Sequence, residues 1–289
     1  MTSLKPGDHL DHYRIDSMVA RTSFSSIFQG TDLGTGRKVV IKVPMEMDAD
    51  PIVSERFRRE EEIGQKLDHP GVVGVLRDDY RSYAYMVREW AEGRTLREIL
   101  QEQAPLPCAR AVRIAVRICE ALYYVHSCGV VHRDLKPENV IVDSADRIKL
   151  IDFGIAVSGG SNRLVLSDPS RATGTPDYIS PEEVKGIRGD ARGDIYALGI
   201  MLYEMLTGIV PFQGCNPLVV MNERLISDPA PLRSIIPEIS PWLENIVGRA
   251  LERDPRRRYA SAFEFARALD GRVQPEAAES AKPRFLQQR

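Results

Sequence analysis

The sequence has no excess of either charge and only four cysteines. Among its 289 residues, 39 lysines and arginines stand against 41 acidic residues, which gives a formal net charge of −2. This balance argues against a nucleic-acid or anionic-membrane partner, because both attract strongly basic surfaces. No two cysteines have the CxxC spacing of a zinc or redox site. The cysteines are therefore expected to be buried free thiols in a reducing compartment.

The sequence also lacks a long hydrophobic run. Its most apolar stretch, residues 195–212, contains Glu204 and Gly208 and is short for a membrane-spanning helix, so a buried core helix is expected there. The first eight residues contain no apolar segment of the kind found in signal peptides. These absences predict a cytoplasmic protein without a membrane partner.

The hydrophobic pattern changes from strand-like to helix-like near residue 92. Strands are predicted within 13–43 and over 72–76 and 83–87, with a charged helix over 54–63. Later helices are predicted over 110–126, 180–184, 194–206, 217–226, 241–251 and 260–269. The pattern divides the chain into four parts: an extension (1–12), a β-rich lobe that ends in a hinge (13–91), a helical lobe (92–270) and a flexible tail (271–289).

One short string carries most of the chemical information. Residues 132–139 read His-Arg-Asp-Leu-Lys-Pro-Glu-Asn, and an Asp-Phe-Gly sequence begins at Asp152, thirteen positions after Asn139. An aspartate at position 134 can accept the proton of an attacking hydroxyl. Asn139 and Asp152 can hold Mg²⁺ against the phosphates of ATP. The string therefore points to phosphoryl transfer.

This string resembles the eukaryotic-like (Hanks-type) protein kinases, and the serine/threonine branch in particular. The run 174–182, Gly-Thr-Pro-Asp-Tyr-Ile-Ser-Pro-Glu, is similar to the family's GTPxYxxPE segment, and the opening Gly7-Asp8 with Tyr13-Arg14-Ile15 resembles bacterial members. The resemblance implies an α+β bilobal kinase fold, with a small β-rich N-terminal lobe and a larger, mainly helical C-terminal lobe. It also implies ATP and Mg²⁺ (with Mn²⁺ as an alternative), protein substrates with Ser/Thr acceptors, and a homodimer for trans-autophosphorylation.

The resemblance assigns further roles around the reacting phosphate. Lys136 would neutralise the transferring phosphoryl group beside Asp134. Lys42, at the centre of the predicted strand 39–43, would pair with the α- and β-phosphates and be oriented by Glu60. Glu61 and Glu62 point about 100° and 200° away around the same helix, so only one of the three glutamates can face the cleft. Glu89 and Ala91, in the hinge, are expected to contact the nucleotide.

Two features depart from the family pattern. The glycine-rich phosphate loop has no glycine at its three glycine positions, which are Ala20, Thr22 and Ser25, although the hydroxyls of Thr22, Ser25 and Ser26 could donate in part to phosphates. Arg88 stands behind the adenine site, where methionine or threonine is usual. A buried arginine needs a partner, and the fold offers Glu60 and Asp152. We expect Arg88 to compete with Lys42 for Glu60 in the resting state; the alternative is that Arg88 reaches solvent.

Other motifs imply regulation and structural support. Arg133, before Asp134, resembles kinases that are activated by phosphorylation of the loop that follows, where the candidate acceptors are Ser158, Ser161, Ser167, Ser170 and Thr173. Thr175 would shape the pocket next to the acceptor. Glu182 is expected to pair with Arg258, and Asp194 to brace the backbone of the catalytic loop. His132 and His126 are expected to be packed, hydrogen-bonded residues.

Two other functions fit parts of this pattern. A pseudokinase, which keeps the fold and signals by conformation, would explain the missing glycines and Arg88. A small-molecule kinase of the aminoglycoside or choline type shares the Asp…Asn…Asp arrangement, but it lacks the segment 175–182 that positions a peptide. The presence of Lys42, Glu60, Asp134, Lys136, Asn139 and Asp152 favours an active protein kinase.

Overall fold

The computed structural model describes residues 4–22, 25–45, 51–78, 80–153, 157–158, 176–214 and 216–271. Its N-terminal part is a six-stranded antiparallel sheet in the order β1-β2-β3-β4-β6-β5. The strands are β1 (His9–Leu10), β2 (Tyr13–Arg21), β3 (Ser25–Asp32), β4 (Lys38–Pro44), β5 (Val75–Leu76) and β6 (Met86–Glu89). One face of this sheet packs its own small core, which includes Ile15, Phe28 and Ile41.

The long helix of this part is α1 (Pro51–Gly64). Its inner residue Ile63 belongs to the core cluster of the C-terminal part. Gly64 lies so close to Val75 that a Cβ at this position would collide with the valine side chain. The helix begins three residues earlier than the sequence predicted.

Two predicted strands are wrong in their extent. Of the stretch 72–76, β5 contains only Val75 and Leu76, and Val72 instead forms an isolated bridge with Leu150. The predicted strand 83–87 is shifted, because β6 begins at Met86 and pairs with β4 and β5 on its two sides. Residues just before these strands are buried without belonging to them. Tyr85, for example, is fully buried, and its hydroxyl donates to Asp11 at 2.7 Å.

The C-terminal part is helical and has its own large core. The helices are α2 (Leu96–Gln103), α3 (Cys108–Ser127), α4 (Pro181–Val184), α5 (Ala191–Thr207), α6 (Pro217–Ile226), α7 (Leu232–Ile235), α8 (Pro241–Ala250) and α9 (Ala262–Leu269). Helix α5 is buried over most of its length, as expected for residues that are apolar all round. Helix α3 buries one stripe, from Ala111 to Val125, against the same core.

Capping residues explain several of the observed helix starts. Asn216, Ser240 and Ser261 each accept a hydrogen bond from a backbone N–H in the first turn of α6, α8 and α9. At α4, Ser180 and Glu183 form a reciprocal capping box, with Ser180 Oγ 2.8 Å from Glu183 Oε2. This capping box gives a physical reason for a serine at position 180.

Short strands beneath the first sheet carry the loops of the site. Strands β7 (Arg94–Thr95), β9 (Val140–Val142) and β10 (Ile148–Leu150) form one sheet, and β8 (Val130–Val131) pairs with β11 (Val157–Ser158). The catalytic-loop string lies between β8 and β9, and Asp152 follows β10. Antiparallel pairing of β9 with β10 therefore brings the two motifs together.

The fold is the bilobal α+β kinase fold that the sequence indicated. Among the described cysteines, Cys119 is buried, but Cys108 and Cys128 are exposed at the two ends of α3, so the expectation of buried thiols is wrong for these two. No helix in the described ranges is both long enough and apolar enough to cross a membrane.

Candidate active site

Asp134, Lys136 and Asn139 form one hydrogen-bonded group in the loop after β8. Lys136 Nζ donates to both carboxylate oxygens of Asp134, at 2.9 and 2.8 Å. Asn139 Nδ2 donates to the backbone oxygen of Asp134 at 2.7 Å and to its Oδ2 at 3.1 Å. The hydrogen bonds from Lys136 and Asn139 fix the Asp134 side chain, which is still 35% exposed and therefore open to the cleft. This is the arrangement that a general base needs.

A buried aspartate holds the backbone of this loop. The carboxylate of Asp194, in the first turn of α5, accepts the backbone N–H of His132 at 2.9 Å and of Arg133 at 2.8 Å, and it contacts His126 Nε2 at 2.8 Å. Burial tends to raise the pKa of Asp194, but these hydrogen bonds and the His126 ring lower it overall. The brace expected from the sequence is present.

Two residues that are not glycine take a left-handed backbone conformation next to the reacting groups. Arg133 has φ 65° and Asp152 has φ 65°. Such a conformation costs on the order of 1–3 kcal/mol and persists only where surrounding contacts impose it. Here the bonds to Asp194 impose it at Arg133. His132 supports the loop from inside, since it is fully buried, and its Nε2 lies 3.2 Å from the oxygen of Ile151.

Lys42 and Glu60 meet at the bottom of the cleft. Lys42 Nζ lies 2.8 Å from each carboxylate oxygen of Glu60 and 3.5 Å from Asp152 Oδ1. Burial lowers the pKa of Lys42 to about 8; the charge of Asp152 opposes this shift and the charge of Arg88 adds to it. Of the neighbouring glutamates, Glu61 pairs with Arg81 at 2.6 Å on the outer face, and Glu62 is exposed. Glu60 alone of the three faces the cleft.

Arg88 is buried and contacts Glu60. Its Nη2 approaches Glu60 Oε1, and the residue is only 8% exposed, so the alternative in which Arg88 reaches solvent is wrong. Burial lowers the pKa of Arg88, while the charge of Asp152 acts in the opposite direction. The expected competition also needs correction. Lys42 and Arg88 contact the Glu60 carboxylate together, so the two cations share it and do not exclude each other.

The phosphate loop has hydroxyl contacts where the family has glycines. Thr22 Oγ1 donates to the backbone oxygen of Ser25 at 3.1 Å and accepts the backbone N–H of Ser25 at 3.0 Å. The two hydroxyls lie 3.2 Å apart, and the backbone N–H of Thr22 donates to Ser25 O at 2.8 Å. Ala20 pairs with Ile27 after a bulge in the hairpin. Thr22 and Ser25 therefore close the end of the β2-β3 hairpin across its tip.

The hinge is tied to the C-terminal part through Glu89. Its Oε1 accepts the backbone N–H of Gly74 at 2.9 Å and lies 2.5 Å from Lys149 Nζ. Both the side chain and the backbone N–H of Glu89 are therefore engaged in structural contacts, the latter with the backbone oxygen of Gly74 at 3.0 Å. Ala91, two residues later, is half-buried. Lys149 was missed in the sequence, although the alternation Ile148-Lys149-Leu150 predicts that its side chain lies on the opposite face from its two neighbours.

A second cluster that the sequence did not reveal is centred on Arg97 of α2. Its guanidinium lies 2.7 Å from Glu138 Oε1, 2.6 Å from Glu204 Oε1 and 2.5 Å from the hydroxyl of Tyr178. Glu138 belongs to the catalytic-loop string, so Arg97 joins that loop to α5 and to the segment before α4. Its partners lie 41 to 107 residues away in sequence, and no local sequence pattern predicts these contacts.

The expected pair of Glu182 and Arg258 is present. Arg258 Nη1 and Nη2 each lie 2.7 Å from one oxygen of the Glu182 carboxylate, in a bidentate, buried arrangement. Several other expectations fall outside the described residues. These are the side chain of Ser158 and the residues Ser161, Ser167, Ser170, Thr173 and Thr175.

The oxygen donors of the cleft fit Mg²⁺ bound together with a nucleotide. In the part of the chain that is described, no three His, Cys, Asp or Glu side chains are grouped to hold a metal by themselves. Mg²⁺ does not need such a group, because it is usually held by one or two carboxylates with substrate phosphates and water. Asp152 offers a carboxylate that is 35% exposed, and Asn139 offers its amide oxygen because its amide nitrogen is bound to Asp134.

Comparisons with known proteins agree with this geometry. Residues 13–268 match the family model for the protein kinase domain. The chain is 34% identical over 281 residues to the probable serine/threonine-protein kinase PknB of Corynebacterium glutamicum, covering 94% of this chain and 43% of that one. It is 36% identical to the probable serine/threonine-protein kinase SCO3848 of Streptomyces coelicolor, covering 93% of this chain and 41% of that one.

A third relative is the serine/threonine-protein kinase PknB of Mycobacterium tuberculosis, with 33% identity that covers 90% of this chain and 42% of the relative. The chain thus spans less than half the length of the curated relatives it matches. The family match covers nearly all of the described residues and contains every residue of the cleft. The chain belongs to the protein kinase family, and to the bacterial Hanks type that its motifs predicted.

Proposed function

We propose that this chain is an ATP- and Mg²⁺-dependent protein serine/threonine kinase. The observation that carries the proposal is the placement of Asp134, Lys136 and Asn139 in one hydrogen-bonded loop opposite the Lys42–Glu60 pair and Asp152. These groups come from separate segments of the sequence, yet they line one cleft. Family membership and the similarity to bacterial kinases support the same function.

Each residue has a role that its position allows. Asp134 would accept the proton of a serine or threonine hydroxyl as that oxygen attacks phosphorus. Lys136, already bound to Asp134, would place its positive charge beside the transferring phosphoryl group. Lys42 would contact the α- and β-phosphates. Asn139 and Asp152 would hold Mg²⁺, with Mn²⁺ as an alternative; the bound metal neutralises charge that develops on the phosphates.

The nucleotide would be enclosed by the hairpin and the hinge. Ala20, Thr22 and Ser25 lie along the phosphate loop, where backbone N–H groups can face the phosphates. Glu89 and Ala91 would contact the adenine through their backbone groups, as hinge residues do in the family. Because Glu89 is anchored by Gly74 and Lys149, the hinge has a fixed position relative to the C-terminal lobe.

The acceptor is proposed to be a protein, including another copy of this chain. The segment 177–182 is held against α6 by Arg224, whose guanidinium donates to the backbone oxygens of Asp177 and Ile179 at 2.8 and 3.0 Å. It is held against α5 by the hydroxyl of Tyr178, which donates to Glu204 at 2.5 Å. A fixed segment beside the catalytic loop supports a peptide acceptor over a small molecule. The proposal also includes trans-autophosphorylation in a homodimer and a boundary between the lobes at residues 91 and 92. It places the activity in the cytoplasm, where ATP is available.

A direct test uses the purified chain with γ-labelled ATP, Mg²⁺, a mixture of proteins and, separately, an aminoglycoside or choline. The proposal predicts label on serine and threonine after acid hydrolysis of the protein fraction. Label on tyrosine alone, or on the small molecule alone, would contradict it. ATP binding without any transfer would favour the pseudokinase.

A further inference from the structure

Arg88 occupies a position in the sheet from which its side chain must point inward. It lies in β6, paired with Val40 of β4 on one side and with Val75 of β5 on the other. Both neighbouring strands restrict the backbone, so the side chain cannot turn outward without breaking the register. The guanidinium is buried, and an unpaired buried charge is strongly unfavourable. The contact with Glu60 supplies the opposite charge.

Two cations from adjacent strands therefore hold one carboxylate of α1. Lys42 belongs to β4 and is paired with Met86, two residues before Arg88 on β6. Lys42 contacts both oxygens of Glu60, and Arg88 contacts Oε1. Lys42 has a further anionic neighbour, Asp152, at 3.5 Å. Arg88 lies on the strand that leads directly into the hinge.

The two cations differ in what else they can reach. In the proposed function, Lys42 has to contact the nucleotide phosphates as well as Glu60, and its flexible side chain allows the ammonium group to contact both. Arg88 carries a planar guanidinium whose donors have a fixed fork geometry. Its burial at the base of the hinge strand keeps it away from the phosphates. Glu60 thus retains a cation even when Lys42 turns toward another anion.

We propose that Arg88 is a positioning residue that keeps Glu60, and with it helix α1, docked in the cleft independently of Lys42. The proposal assigns the docking of α1 to two cations, whereas in an ordinary Lys–Glu pair one cation must do both tasks. The inference rests on the proposed function in one respect only, which is that Lys42 also binds the phosphates of a nucleotide. The docking of α1 itself can be measured without any turnover.

The test is a double-mutant cycle read by amide hydrogen exchange of α1, residues 57–64, in the full chain. Lys42→Met and Arg88→Met each remove one cation, and Lys42→Met/Arg88→Met removes both. We expect exchange in Lys42→Met within about threefold of the wild type, because Arg88 still holds Glu60. We expect exchange at least about tenfold faster in the double variant, since contacts to one shared partner are not additive.

Arg81→Met provides the matched control. It removes an ion pair to Glu61, the residue next to Glu60 on the same helix, together with contacts to the backbone oxygen and the ring of Tyr85. Its effect on α1 exchange should add to that of Lys42→Met without coupling. Amides of α5 should keep their protection in every variant, which shows that the C-terminal lobe is folded. Arg88→Lys, which keeps a cation, should restore part of the protection lost with Arg88→Met in the Lys42→Met background.

Two results would overturn the proposal. One is α1 exchange in Lys42→Met as fast as in the double variant, which would mean that Arg88 holds nothing. The other is a double variant that exchanges as slowly as the wild type. Exchange in Lys42→Met more than about tenfold faster than in the wild type would contradict the proposal even if the double variant does not fold. A chain with no kinase activity can still give the predicted cycle, so failure of the proposed function is separable from failure of this inference.

Discussion

The Nζ of Lys136 lies within 2.9 Å of both carboxylate oxygens of Asp134, two residues earlier in the same loop. The pair places a positive charge directly beside the group that would accept the substrate proton. In the proposed mechanism, Lys136 stabilises charge on the transferring phosphoryl group, an interaction that is stronger in the transition state than in the ground state.

Lys136→Met is expected to lower kcat by roughly 10²–10³-fold, the usual cost of removing one preorganised transition-state donor. The KM for ATP should change by less than about threefold, because the contact is not made to the bound nucleotide in its ground state. Steady-state kinetics with a protein substrate check this split. A rise in KM with kcat unchanged would assign Lys136 to nucleotide binding.

Asp194→Asn is expected to lower the free energy of unfolding by about 2 kcal/mol. The carboxylate accepts two backbone N–H groups and contacts His126, and an amide at this site leaves at least one buried donor without its partner. Chemical denaturation of both proteins measures the difference. An equal stability of the variant would show that the brace contributes nothing.

The effect of Asp194 should also depend on pH. The folded-state pKa of Asp194 is lowered below its ordinary value of 3.8. A lowered pKa means that the stabilisation is present above the unfolded-state value and is lost as the pH falls through the folded-state value. The stability difference between wild type and Asp194→Asn should therefore stay constant near neutral pH and shrink below about pH 4. A difference that grows on acidification would contradict the assignment.

Arg258→Met is expected to destabilise the fold by roughly 3–5 kcal/mol, because it leaves the buried carboxylate of Glu182 without its partner. The double variant Arg258→Met/Glu182→Leu should recover part of this loss. Arg94→Met is the matched control, since Arg94 forms a similar bidentate pair with Glu102 at the surface, where solvent screening leaves little net stabilisation. Equal losses in the two single variants would contradict the role of burial.

Thr22→Ala is expected to raise the KM for ATP about tenfold. The hydroxyl makes three contacts with Ser25 that close the tip of the hairpin, and loss of roughly 1.4 kcal/mol of ordering corresponds to a tenfold change in binding. Thr22→Ser, which keeps the hydroxyl, serves as the control and should bind ATP nearly as well as the wild type. An unchanged KM in Thr22→Ala would show that the hairpin tip does not affect the nucleotide.

The parts of the fold that were predictable from sequence are those with a local signature. The helix over 217–226 was predicted at its observed bounds, and an asparagine cap with a proline in the first turn fixes its start. The catalytic-loop string places Asp134, Lys136 and Asn139 within six residues, so their proximity follows from the chain itself. The strands were less predictable, because Tyr85 packs in the core of the N-terminal sheet and donates to Asp11 although it lies just outside β6.

The contacts that sequence reasoning missed or misjudged join distant elements. Arg97 meets Glu204 across 107 residues, and Lys149 meets Glu89 across 60. For Arg88, the sequence showed an unusual residue and named its partner, but not that Lys42 and Arg88 would share Glu60. That outcome depends on the register of β4 and β6, which only the three-dimensional structure provides.

The most direct test of the proposed kinase activity is the rate of Mg²⁺-dependent transfer of label from γ-labelled ATP to protein, compared between the wild type and Asp134→Asn. We predict transfer by the wild type and a fall of roughly 10²–10⁴-fold in the variant, the contribution of a positioned general base. Asp134→Asn should still bind ATP, because Asp134 is not among the groups proposed to hold the nucleotide. Equal rates in the two proteins, or no transfer by a folded wild type at any ATP concentration, would contradict the proposed mechanism.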